Sequence, residues 1–110
     1  MKVVYIFQSP KASMLLENMI IPQISLEVHG AEVVGMFFLD DNVFFLLPEN
    51  PIGERLTMLS SKYGFFITCC DYCCGQRGIS GRLYPGVHEG CFPDLYKQAA
   101  NSYAQQIITL

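Results

Sequence analysis

Five cysteines, at positions 69, 70, 73, 74 and 91, are the residues of this chain best suited to chemistry. Four crowd into the run Cys69-Cys70-Asp71-Tyr72-Cys73-Cys74, and Gly75, Gln76, Arg77 and Gly78 follow. An odd, clustered set differs from the spaced pairs of a secreted disulfide framework, so reactive or metal-binding thiols are expected. The thiolate is the form that attacks sulfur, and it is favoured where a cysteine meets free backbone N–H groups and the positive end of a helix dipole. If a strand ends near Cys69 and a helical turn follows, Cys70 occupies that place. Cys73 then lies one turn on, on the same side, and Arg77 a further turn on can add positive charge. Strand alternation sends Cys69 to the face opposite Cys70, where a free cysteine behaves as a small buried hydrophobe. Cys74 is read as structural. Arg77 has two plainer uses, as a solvated side chain or as the partner of a carboxylate across a subunit contact. Gly78 fits a tight turn of positive φ.

Two other chemistries use the same thiols. Cys70-x2-Cys73, fourteen residues, then His88-x2-Cys91 has the ligand types and rough spacing of a structural zinc site. Weighing against it, the first pair follows a strand of an α/β core that needs no metal for stability. A dithiol oxidoreductase using Cys70 and Cys73 is the third reading, because Cys-x-x-Cys at a helix start is a redox arrangement. The chain has no glycine loop for phosphate after its first strand and no serine elbow, so nucleotide and hydrolase readings are weak.

The elements that must position these thiols are read from periodicity. Val3 to Phe7 is a continuous apolar run, as in a parallel strand covered on both faces. Ser9 and Pro10 are suited to begin an amphipathic helix as cap and first residue, and Met14, Leu15, Met19, Ile20 and Ile24 carry it to about Glu27. Pro22 predicts a kink or break, and Gly30 a left-handed stop. Glu32 to Leu39 is a second strand. Asp40-Asp41-Asn42 turns into Val43 to Leu47, read as a short extra strand or a loop pressed on the core. Gly53 to Tyr63 is helical, closed by Gly64, and Phe65 to Cys69 is another buried strand. The glycine-rich stretch to Gly86 has room for little more than one short helix; Phe92 to Ala100 is the last helix and Gln105 to Leu110 the last strand. Alternating strands and helices over residues 1–110 imply one domain of α/β class. The expected architecture is a three-layer α/β/α sandwich with right-handed crossovers and a mostly parallel sheet of about five strands. Functional groups of such sheets collect past the carboxyl ends of the strands, where the thiols begin.

Composition narrows the partners. A formal charge of −3 with no lysine or arginine patch argues against nucleic acid. Runs such as Val33 to Leu39 fall short of the roughly 18 to 20 residues that span a bilayer. Met1 and Lys2 lead straight into a short apolar run with no cleavage site, so the cytoplasm is the expected compartment. Apolar residues make up 51% of the chain against 15% charged, enough to bury sheet faces and a subunit contact as well.

Cys70-x-x-Cys73-x-x-x-Arg77-Gly78, placed after an apolar strand, resembles the small DsrE-like proteins, including the YchN group. The closing segment from Gly90-Cys91-Phe92-Pro93 to Leu110 is similar as well. Relatives of the TusD type carry a cysteine in this place with arginine and glycine close behind; that cysteine accepts sulfur as a persulfide and passes it on. The resemblance therefore implies a cytoplasmic sulfur carrier or sulfurtransferase without metal or organic cofactor. Cys70 is the implied first carrier, Cys73 its assistant, and Arg77 with Gly78 the supporting residues. The implied partners are a sulfur donor and acceptor, protein or small persulfide, and a homo-oligomer of two, three or six copies is expected. The alternative is a binding or assembly module with a structural zinc or dithiol site on the same cysteines.

Overall fold

The computed structural model describes residues 1–110. Five strands, β1 (Lys2–Phe7), β2 (Glu32–Phe38), β3 (Phe66–Cys70), β4 (His88–Gly90) and β5 (Gln106–Thr109), form one sheet in the order β4-β3-β2-β1-β5. Every pairing is parallel. Burial follows this order: β1, β2 and β3 are apolar along nearly their whole length and lie inside, whereas the polar-punctuated β4 and β5 lie at the edges. β4 has no counterpart in the sequence reading, because three residues of His-Glu-Gly carry no strand periodicity. It pairs only because β3 offers an open edge.

Steps from β1 to β4 all run the same way across the sheet, so right-handed crossovers put their connections on one face, and the return from β4 to β5 crosses the other. That return is α5 (Phe92–Asn101), whose Phe92 ring lies 5.4 Å from that of Phe37 on β2. The result is the expected three-layer sandwich.

The first crossover departs from its sequence reading in detail. It begins at Ala12 with Lys11 as cap, not at Ser9 and Pro10, and runs as α1 (Ala12–Leu15), a π-helical turn (Leu16–Ile20) and α2 (Ile21–Ser25). Pro22 has no N–H to give the carbonyl of Asn18 and its ring crowds that oxygen; widening the preceding turn to π geometry accommodates both effects without a sharp break. The helix closes at Glu27, not Gly30. Glu27 takes the left-handed conformation (φ 59) and donates to the Ile24 carbonyl, while Val28 donates to that of Gln23.

Val43 to Leu47 is neither strand nor open loop. Residues Asp40–Leu46 form a 3-10 helix that buries Val43 and Leu46 completely. α3 (Pro51–Tyr63) follows, with the Asn50 side chain accepting from the Ile52 N–H and Gly64 closing it at φ 80. One hydrophobic cluster unites the strands with these helices, and the Phe7 and Phe38 rings stack 5.1 Å apart within it.

Candidate functional site

β3 runs to Cys70, and α4 (Asp71–Gln76) begins at the next residue, which makes Cys70 the helix cap. Its Sγ accepts from the Cys73 backbone N–H at 3.4 Å. Cys70 is 5% exposed and Cys73 6%, whereas Cys69 and Cys74 are fully enclosed. All five cysteines are free thiols. Strand alternation has separated the first two as expected. Cys69 faces the Cys74 thiol, while Cys70 faces Cys73.

Cys70 overturns one expectation. Burial, reinforced by the neighbouring Cys73 thiol, pushes its pKa up; the Cys73 and Tyr72 N–H groups pull the other way and lose. Near-complete enclosure costs a thiolate more than these two donors return. Cys69 is raised as well, first by its hydrogen bond with Cys74 and then by burial, and Cys74 is correspondingly lowered by that bond.

Around Cys73 the structure assembles groups that the sequence reading saw only as a polar turn. Asp40, in a left-handed conformation (φ 52), donates its N–H to Cys73 Sγ at 3.3 Å. Arg77 finds carboxylate partners within its own chain. Its Nε binds Asp41 at 2.9 Å, Nη1 donates to the Cys73 carbonyl at 3.1 Å, and Nη2 lies 4.0 Å from Asp40. The guanidinium thus ties the 3-10 segment to α4, and Asn42, donating to the Ser9 carbonyl, ties it to the end of β1. Gly78 sits at φ 66 in the turn after α4, with open space around it, which accounts for the glycine on conformation alone.

The four proposed zinc ligands are not brought together, and no group of three or more His, Cys, Asp or Glu side chains is arranged to hold a metal ion. His88 instead lines a polar cleft of about 240 Å³ with Thr68, Asp94, Lys97 and Gln98. Cys91 follows Gly90, the register partner of Cys70, and keeps more exposure than any thiol of the cluster. A cavity of about 380 Å³ lies at the other end of the sheet, beside His29, Glu32 and Phe65. Neither of these two cavities is lined by a cysteine. What the thiol site offers is sulfur held close to sulfur at a strand end.

These features agree with the wider comparison. The profile of the DsrE/DsrF-like family matches residues 1–107. The chain belongs to the DsrE/DsrF-like family. Among solved structures, the YchN protein of E. coli superposes with a TM-score of 0.71 at 22% identity, over 99% of this chain and 97% of that one. MTH1491 of Methanobacterium thermoautotrophicum, described as a protein of unknown function, gives 0.69 at 12% identity over 97% of each. At these identities the likeness establishes the fold. No curated protein matches the chain significantly. No helix of this DsrE-like chain is long and apolar enough to cross a membrane.

Proposed function

We propose that this protein is a cytoplasmic sulfur carrier that takes sulfane sulfur onto Cys70 as a persulfide and yields it to a partner. The observation that carries this reading is the position of Cys70 Sγ at the carboxyl end of a strand, capped by the Cys73 N–H at 3.4 Å. Sulfur transfer is thiolate attack at sulfur and needs no cofactor, only a cysteine whose sulfur can be reached and whose surroundings tolerate negative charge. Cys69 and Cys74 are sealed in the core, leaving Cys70 and Cys73 at its rim. Family membership supports the same chemistry. A raised pKa makes Cys70 a guarded thiol at rest, so loading depends on a donor that reaches the rim.

The test is to mix the fully reduced protein with inorganic polysulfide, trap it at the earliest times, and map the added sulfur by peptide mass. The expected site is Cys70. Sulfur found on Cys91, the more exposed thiol at the start of α5, would transfer the carrier role to that residue and end the present assignment.

Self-association belongs to this proposal. Phe92 and Tyr96 stand 6.2 Å apart on α5 with both rings exposed, and Tyr72 is exposed on α4 beside the thiols. The Phe92 and Tyr96 pair suits a contact with another copy of the chain. Light scattering is expected to give a mass of two or more chains; a monomer alone at micromolar concentration would refute the assembly.

A further inference from the structure

The two rim thiols are arranged to react with each other. Cys70 caps α4 and Cys73 is the third residue of that helix, so the N–H that bonds Cys70 Sγ belongs to the residue carrying the second sulfur. Cys73 Sγ is held in turn by the Asp40 N–H at 3.3 Å, and Arg77 fixes the Cys73 carbonyl. Both sulfurs are almost wholly enclosed, which limits the approach of external thiols, while the Cys73 thiol neighbours that of Cys70. For a persulfide formed there, the neighbouring thiol is the nucleophile with the greatest effective concentration.

We infer that Cys73 resolves a persulfide on Cys70 and releases its outer sulfur as hydrogen sulfide. The inference rests on Cys70 being the carrier and adds the fate of the sulfur when no acceptor intervenes. Cys73 attacks Cys70 Sγ, forming the Cys70–Cys73 disulfide as the bond from Cys70 to the outer sulfur breaks. The electron pair of that bond and the Cys73 thiol proton leave with the outer sulfur. The sulfane sulfur is thereby reduced to sulfide and the two cysteine sulfurs are oxidised, so a single round needs no external oxidant or reductant. A further round requires a dithiol reductant to reopen the disulfide. The Asp40 N–H stabilises charge on Cys73 as it attacks. The inner pair, Cys69 with Cys74, faces the core and takes no part.

The experiment loads reduced wild type, Cys73→Ala and Cys73→Ser with inorganic polysulfide, removes the donor, and follows sulfide release and peptide mass without reductant. Wild type is expected to release one equivalent of hydrogen sulfide and to yield Cys70 and Cys73 peptides joined by a disulfide, which dithiothreitol reopens for a second round. Both variants are expected to retain the added sulfur on Cys70 and release none; agreement between Ala and Ser excludes a folding artefact of either. Wild type that retains its persulfide as firmly as the variants overturns resolution and leaves the carrier intact. Failure of all three proteins to take up sulfur overturns the carrier reading, and this inference with it.

Discussion

Cys70→Ala is expected neither to take up sulfane sulfur nor to release sulfide under conditions where the Cys73→Ser protein gains one sulfur atom on Cys70. Removing Sγ deletes the atom proposed to carry the persulfide, and the other three thiols of the cluster are poor substitutes for it. Cys69 and Cys74 are fully enclosed, and Cys73 Sγ is engaged by the Asp40 N–H. Alanine also leaves the Cys73 N–H without its acceptor, a loss of about 1 kcal/mol by the usual range for one hydrogen bond. Cys70→Ser separates that effect from chemistry, since its hydroxyl can still accept from Cys73 yet holds no persulfide. Both variants are expected to melt cooperatively and load nothing; sulfur uptake by either would remove Cys70 from the role.

The pH dependence of uptake gives a second handle on the same atom. Burial raises the Cys70 pKa, so the neutral thiol is favoured in the fold and the thiolate fraction at neutral pH lies below that of a free cysteine. The initial rate of uptake should therefore climb with pH and continue to climb beyond the range where an ordinary thiol has already ionised. A rate that levels off near neutrality would contradict the enclosure of this sulfur.

Gly53→Ala is expected to lower stability, and Gly75→Ala to raise it, although both glycines lie in helices. A methyl group at Gly53 would meet the backbone oxygen of Phe45 and the ring of Tyr84. Neither is free to yield. Phe45 belongs to the 3-10 segment pressed on the core, and Tyr84 is held by its N–H to the Leu46 carbonyl at 2.8 Å and its hydroxyl to the Pro48 carbonyl. Overpacking of this kind costs about 1–3 kcal/mol, more than the roughly 1 kcal/mol that alanine returns through helix propensity. At Gly75 nothing lies within 4 Å, so only the propensity gain of about 0.5–1 kcal/mol remains. Thermal melting of the two variants should move the midpoint in opposite directions. A Gly53→Ala protein as stable as wild type would mean that α3 and the 3-10 segment do not meet as closely as described. That seam also carries Asp40 and Asp41, so its looseness would reach the thiols.

Most of the architecture is legible in one dimension because the three central strands of a parallel sheet are buried on both faces. Val3 to Phe7, Glu32 to Phe38 and Phe66 to Cys70 are apolar runs for that reason, and helical periodicity between them fixes the α/β class. β4 escaped notice because an edge strand of three polar or small residues is defined by its neighbour's unpaired backbone, not by its own side chains. The 3-10 segment escaped for a related reason: Val43 to Leu47 is apolar because it is buried, and burial alone does not distinguish a strand from a tight helix.

For the site, spacing alone places Cys70 at a helix cap and Cys73 one turn later, since a strand end followed by a turn leaves few other arrangements. Ionisation could not be obtained the same way. A helix start favours thiolate and enclosure opposes it, and which prevails depends on how many atoms from distant segments surround the sulfur. The partners of Cys73 and Arg77 come from residues 40 and 41, more than thirty positions away, and no local pattern announces them. The sequence by itself determined which sulfurs stand at the strand end, because alternation and turn are local. Only the tertiary structure decided which of them are sealed, guarded or paired, because burial and electrostatics are sums over neighbours that the chain brings together by folding.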